Sequence, residues 1–112
     1  MSLGKKQEQF SVAIAKMILW FDERGYQVRF GDTFRDPRLH GEHGVKKGYG
    51  SANSVHKLKL AGDLNLFKDG VYLNKGTEPI WDEAHEYWET LGGAPAVPND
   101  ANHFSFEMWG CR

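Results

Sequence analysis

Apolar residues recur at three- and four-residue intervals near the start of the chain, which predicts an amphipathic helix over about 4–24. The apolar face comprises Phe10, Ala13, Ile14, Met17, Trp20 and Phe21. Gly25 follows as a helix-ending residue. Alternation over 26–34 then predicts a strand. The next stretch, 35–53, is polar, rich in Gly, Lys and His, and without a period; a loop of this length in a compact domain is often functional.

Alternation returns over 58–67, where four leucines share one face of a second predicted strand. Lys68-Asp69-Gly70 is a hairpin turn signal, and 71–73 is the returning strand. Thr77 is positioned to cap a second helix that runs to about Thr90 and is stopped by glycines, and 103–108 predicts a last strand. This order of elements predicts an α+β fold, with a small antiparallel sheet and two main helices in a single domain spanning 1–112.

Length, charge and cysteine content narrow the classes of function. The chain has 112 residues with 14 basic and 15 acidic side chains, a net charge of −1. This balance is unlike the basic footprint of a nucleic-acid-binding protein, so we expect no nucleic-acid partner. The single cysteine, Cys111, can form neither an internal disulfide nor a thiolate cluster for a metal.

The N-terminal residues show no apolar run of the kind that signal peptides contain. No stretch of the sequence approaches the apolar length of a membrane span. We therefore expect cytoplasmic synthesis, no membrane insertion and a monomeric protein. A substrate outside the membrane would require a separate route of release.

Two histidines and an aspartate suggest a metal site. His56 and Asp63 are seven residues apart, an odd separation that would place them on opposite faces of one unbroken strand. Convergence therefore requires His56 to precede the strand. In the last strand, alternation directs His103 away from the face that carries Phe104 and Phe106. Two His and one Asp leave one tetrahedral position open, which is typical of a catalytic rather than a structural zinc site.

A zinc hydrolase also needs a carboxylate that moves protons between the attacking water and the leaving amine. Asp100, three residues before His103, is the first candidate, and Glu107 on the same predicted strand face is the second. His40 and His43 are also three apart, but we interpret them as solvated loop residues. A metal-dependent nuclease would rest on these two histidines alone, and the net charge opposes it.

The segment Ser54–Gly70 resembles a known signature, Ser-x-His-x6-Asp, whose longer form reads Ser-x-His-x-x-x-Leu-Ala-x-Asp-Leu-Asn-Leu-Phe-Lys-Asp-Gly. This is the pattern of the zinc D-Ala-D-Ala carboxypeptidase and L-alanyl-D-glutamate endopeptidase family. The family includes vancomycin-resistance peptidases and bacteriophage endolysins, and the likeness is strongest to short phage endolysins. Family members then carry an acidic residue, two spacers and the third ligand, as in Asp100-Ala101-Asn102-His103.

The resemblance implies a role for each motif residue. His56, Asp63 and His103 would be the Zn²⁺ ligands, and Asp100 the general base. Arg35, just after the first predicted strand, would stabilise the oxyanion. Ser54 would hydrogen-bond the substrate. One departure concerns Lys59, where many relatives have glycine. A second is the glycine-rich stretch before the last ligand, which is shortened here to Gly92-Gly93-Ala94-Pro95, so we expect the substrate-binding wall to differ from that of relatives.

The resemblance implies hydrolysis of a peptide bond in the peptidoglycan stem peptide, with action at the cell wall after release from the host cytoplasm. We favour the L-Ala-D-Glu endopeptidase activity of a phage-type endolysin. D-Ala-D-Ala carboxypeptidase activity is the near alternative, and the sequence does not separate the two. An alternative of another class is a non-catalytic cell-wall-binding module that keeps its metal for folding, although a retained Asp100 argues against it.

Overall fold

The computed structural model describes residues 2–32 and 55–112. The predictions for Arg35, Ser54, His40 and His43 concern residues outside these ranges. The described part contains two helices and a four-stranded antiparallel sheet, which confirms the predicted α+β class. None of its helices is long and apolar enough to cross a membrane.

The first helix, α1, spans Leu3–Glu23, and the side chain of Ser2 caps its N-terminus by accepting a hydrogen bond from the Lys5 amide. Its predicted apolar face is the one that packs into the core. The buried members are Phe10, Ala13, Met17 and Phe21. Ile14 and Trp20 are only partly buried. The second helix, α2, spans Pro79–Thr90 and buries Ile80, Trp81, Ala84, His85 and Trp88.

The strands are β1 (Gln27–Phe30), β2 (Ala61–Lys68), β3 (Val71–Tyr72) and β4 (His103–Ser105). β2 is the strand on which the others assemble, since it pairs antiparallel with β1, β3 and β4. The β4 pairing opposes Ala61 to Ser105 and Asp63 to His103. The core lies between this sheet and the two helices, with the indole of Trp88 and the ring of Phe104 fully buried.

The predicted strand over 58–67 begins too early. Val55–Leu58 form a short 3-10 helix, and β2 starts only at Ala61. Leu58 and Leu60 are both buried, as the alternating pattern requires, but a tight turn rather than a strand buries them. Burial two residues apart does not distinguish these two conformations.

Three further boundaries differ from the sequence prediction. β4 ends at Ser105 rather than 108, because the chain turns through left-handed Trp109 and Gly110 and closes a bridge between Met108 and Cys111. β1 ends at Phe30, short of the predicted 34. The N-cap of α2 is Glu78 without a side-chain capping bond, since Pro79 at the first helical position sets the start in place of Thr77.

A common backbone motif ends all three helical segments. After α1, the Tyr26 amide donates to the Phe21 carbonyl and Gly25 has φ +85°. After α2, the Gly93 amide donates to the Trp88 carbonyl and Gly92 has φ +93°. These are Schellman caps, in which the left-handed residue is usually glycine. The 3-10 helix ends in the same way, but its left-handed residue is Lys59.

Candidate metal centre

His56 reaches the site from the 3-10 helix. The Leu60 amide donates to the Val55 carbonyl at 3.0 Å, and the Lys59 amide to the His56 carbonyl at 3.3 Å. Lys59 has φ +58°, and this left-handed residue turns the chain from the 3-10 helix into β2. The requirement that His56 precede the strand is therefore met, because the turn removes the odd-separation conflict with Asp63.

Asp63 and His103 come from opposite strands. They are directly opposed in the β2–β4 register, and His103 Nδ1 lies 3.3 Å from Asp63 Oδ1. The β1 end secures the Asp63 backbone on its other side. The Asp63 amide donates to the Asp32 carbonyl at 2.7 Å, and its carbonyl accepts from the Gly31 amide at 2.7 Å. A side chain at Gly31 would crowd Asp63, since an added Cβ would lie 3.2 Å from the Asp63 Cβ.

The three side chains converge on one point. His56 Nε2 lies 3.2 Å from His103 Nδ1, and each of these nitrogens lies 3.3 Å from Asp63 Oδ1. His56 and His103 are buried, whereas Asp63 is partly exposed. Among the described residues, these are the three whose ligand atoms are grouped for a metal.

These distances fit a tetrahedral ion. Ligand–metal distances of about 2.0–2.1 Å place the ligand atoms of a tetrahedral zinc about 3.3 Å apart. The triangle formed by the two imidazole nitrogens and the carboxylate oxygen has this edge length. A single shared proton could join only two of three converging lone pairs, whereas a cation can satisfy all three. The residues present therefore fit zinc, with nitrogen and oxygen donors and no thiolate.

Asp63 carries its negative charge at neutral pH. Its burial opposes ionisation and raises the pKa, but the hydrogen bonds and charges of His103 and His56 outweigh burial and lower the pKa from 3.8 to about 2. Metal ligation requires a deprotonated carboxylate, so this ligand is ready to bind across the physiological range.

In the absence of a metal, His103 Nδ1 can donate to the Asp63 carboxylate. With a metal bound, Nδ1 would face the ion and the proton of His103 would lie on Nε2. This Nε2 is buried and has no hydrogen-bond partner within residues 2–32 and 55–112. The predicted orientation of the strand is confirmed around it. Phe104 and Phe106 are buried in the core, and the Phe104 ring stacks against His85 at 4.3 Å between centroids.

Asp100 lies beside the cluster. Its Oδ2 is 3.8 Å from His103 Nδ1, and its side chain is 48% exposed. The carboxylate therefore lies next to a candidate metal ligand and is also in contact with solvent. The backbone turn that holds it is closed by the His103 amide, which donates to the Asp100 carbonyl at 3.1 Å. The rival carboxylate, Glu107, is exposed and lies beyond the end of β4.

Two residues that the sequence analysis did not use hold the Asp100–His103 segment. His85 is buried, and its Nε2 donates to the Ala101 carbonyl at 2.6 Å. Asn102 Nδ2 donates to Asn65 Oδ1 at 2.9 Å. No periodic or motif signal in the sequence points to either contact.

Comparison of the chain with protein-family models, curated proteins and solved structures gives no match in any of the three.

Proposed function

We propose that this chain is a zinc peptidase that hydrolyses the L-Ala-D-Glu bond in the stem peptide of peptidoglycan. The observation that carries the proposal is the triangle of His56 Nε2, Asp63 Oδ1 and His103 Nδ1, whose edges of 3.2–3.3 Å match one face of a tetrahedral zinc site. Three protein ligands leave the fourth position for water or substrate, as catalytic zinc sites do. The choice of bond rests on the motif resemblance.

A zinc ion in such a site polarises a carbonyl group and lowers the pKa of bound water to about 7. Asp100 supplies the proton chemistry. Its half-exposed carboxylate accepts a proton from the attacking water and then delivers it to the amine that leaves. An inert metal-stabilised module would need the three ligands but not this neighbouring carboxylate.

A cavity beside the cluster is lined in part by Asp100, but not by His56, Asp63 or His103. It has a volume of about 560 Å³ and lies between the β3–α2 connection, α2 and the segment 96–102. This volume falls within the range of about 300–1,000 Å³ that is common for small-molecule sites. Polar lining groups include Asn74, Thr77 and Asn102, and these can hydrogen-bond a peptide backbone.

Arg35 and Ser54 complete the proposal on the strength of the resemblance. Arg35 would stabilise the negative charge that develops on the carbonyl oxygen during attack, a contribution that typically changes the rate by about a hundredfold or more. Ser54 would donate a hydrogen bond to the substrate. Both lie outside the described residues and are tested through kinetics.

A turbidity assay tests hydrolysis directly. Outer-membrane-permeabilised cells are mixed with zinc-loaded protein, with chelated protein, and with chelated protein to which zinc is returned. Turbidity should fall only in the first and third samples. The matched control is Asp100→Asn, which should keep its zinc and leave turbidity unchanged. Zinc-loaded protein that adheres to the cells without lysing them would instead indicate a cell-wall-binding module.

A further inference from the structure

Asn102 occupies the point at which β4 separates from β2. It directly precedes His103, the first residue of β4, which pairs with Asp63 on β2. It directly follows the turn that carries Asp100. Its carbonyl accepts a hydrogen bond from the Leu64 amide at 2.9 Å, and its side-chain amide donates to Asn65 Oδ1 at 2.9 Å. Asn102 is thus bound to β2 through both its backbone and its side chain.

Asn65 is itself held in place. It lies two residues after Asp63 on β2, so the two side chains share one face of the strand. An added Cβ at Gly31 would lie 3.3 Å from Asn65 Nδ2, which shows that the amide packs closely against the end of β1. The oxygen of this amide is therefore aimed at Asn102 by its packing as well as by the hydrogen bond.

We propose that Asn65 and Asn102 form a positioning pair that sets the distance between Asp63 and His103. The inference rests on the proposed zinc function. Asp63 immediately precedes Leu64, and His103 immediately follows Asn102, so the two hydrogen bonds of Asn102 adjoin both ligands. Without the side-chain bond, the Leu64 amide alone would hold Asn102 to β2, and the turn that carries Asp100 could shift His103 out of register.

The physical reason is the narrow tolerance of the metal site. Zinc requires its ligand atoms about 3.3 Å apart, and groups that orient the ligands typically alter metal affinity by about 10–100-fold. The Asn65–Asn102 bond is part-buried, so water competes with it only in part. Neither residue contacts a ligand side chain through any hydrogen bond that the described residues show, so both act through the backbone.

Zinc affinity, measured by competition with a chromogenic chelator, tests the pair. Asn65→Ala and Asn102→Ala should each weaken zinc binding about tenfold, and the double variant should weaken it no further, because both changes remove one interaction. Asn65→Asp keeps an oxygen acceptor and should bind zinc at least as tightly as the unaltered chain. Gln9→Ala, at an exposed side-chain amide on α1, is the control and should leave affinity unchanged.

Circular dichroism of the chelated variants accompanies the titration and should show folded protein in every case. Folded alanine variants with unchanged zinc affinity would overturn the inference, as would losses that add in the double variant or a weakened Asn65→Asp. If the alanine variants do not fold, the Asn65→Asp result decides. An unaltered chain that binds no zinc would remove the proposed function and this inference together. If the unaltered chain binds zinc and lyses cells, alanine variants that bind zinc equally tightly would remove the inference alone.

Discussion

Asp63 and His103 face each other across the β2–β4 pair, and their side chains meet at 3.3 Å between Oδ1 and Nδ1. Opposed residues on antiparallel strands have neighbouring side chains, so the sheet itself holds two of the three candidate ligands together. His56 lies outside the sheet, on the 3-10 helix that precedes β2. The geometry of the cluster therefore depends on one strand register and one left-handed residue.

The first prediction is stoichiometric metal binding. The unaltered chain should bind one zinc ion, and His56→Ala or His103→Ala should lower its affinity by at least a hundredfold, since each removes one of three donors. Mass spectrometry under non-denaturing conditions and chelator competition measure this. The double variant of His40 and His43 to alanine serves as the control and should keep full zinc content. Zinc lost from that control instead would place the metal elsewhere.

The second prediction separates the base from the ligands. Asp100→Asn keeps the size of the side chain but removes its basic oxygen, and it should lower kcat by about 10²–10⁴-fold with zinc content unchanged. Glu107→Gln is the comparison, because Glu107 is the other candidate carboxylate. If Glu107→Gln is inactive and Asp100→Asn retains normal turnover, the roles are reversed.

The third prediction concerns Arg35. Arg35→Ala should lower kcat by about a hundredfold or more while zinc content stays full, because it removes a positive donor from the developing oxyanion. Arg38→Ala is the matched control, at an arginine three positions along the same sequence segment, and should leave kcat near normal. An active Arg35→Ala enzyme would show that the oxyanion is stabilised by other groups.

The fourth prediction concerns the strained turn before β2. Lys59 has φ +58° in a position where α1 and α2 use Gly25 and Gly92. The left-handed conformation costs a residue with a side chain about 1–2 kcal/mol, and glycine avoids this cost. Glycine also loses more backbone entropy on folding, which offsets about 0.5–1 kcal/mol of the stabilisation. Lys59→Gly should therefore raise the free energy of unfolding by about 0.5–1 kcal/mol in urea titrations.

Lys75→Gly provides the control for this substitution, since Lys75 is exposed and is not left-handed. That variant should be slightly destabilised. Equal destabilisation by both glycines would show that the Lys59 side chain contributes more than its backbone conformation costs.

The fifth prediction is a pH effect from His85. Burial lowers its pKa below the usual 6.5, against the opposing effect of its hydrogen bond to the Ala101 carbonyl. The nearby charges are His103, which also lowers the pKa, and Asp82 and Glu89, which raise it. Just below pH 6.5, His85 therefore binds a proton in the unfolded chain but stays neutral in the folded chain. Stability is complete above this pH and falls as the pH drops toward the folded-state pKa.

His85→Gln tests this, because glutamine can still donate to the Ala101 carbonyl but does not titrate. Urea unfolding of the chelated protein at pH 7.5 and pH 5.5 should show a smaller loss of stability in the variant than in the unaltered chain. The two proteins share every other titratable group, so the difference reports His85. Equal losses would mean that His85 keeps an ordinary affinity for protons.

Local pattern predicted the elements well and their boundaries less well. The apolar faces of α1 and α2 follow from three- and four-residue spacing, and the glycines mark both helix ends. The side-chain parity of strands required His56 to precede β2, which the structure confirms. The early start assigned to β2 was wrong, because Lys59 adopts a left-handed backbone conformation. Lysine rarely takes this conformation, so its presence in the sequence does not indicate a turn.

The candidate site divides in the same way. His56, Asp63, His103 and Asp100 were predicted from residue type and spacing together with the motif resemblance, and the structure places them close together. The contacts of Asn65 with Asn102, and of His85 with Ala101, join residues that are 37 and 16 positions apart. Such contacts depend on register and helix placement, so they become visible only in three dimensions.

Mass spectrometry of digested peptidoglycan tests the central claim most directly. Purified sacculi are incubated with zinc-loaded protein, and the released fragments are analysed beside those from chelated protein and from Asp100→Asn. The account predicts stem peptides with a new N-terminal D-Glu, produced only by the zinc-loaded unaltered chain. Release of terminal D-Ala would assign a carboxypeptidase instead, and sacculi left intact by a fully zinc-loaded, folded protein would contradict the account.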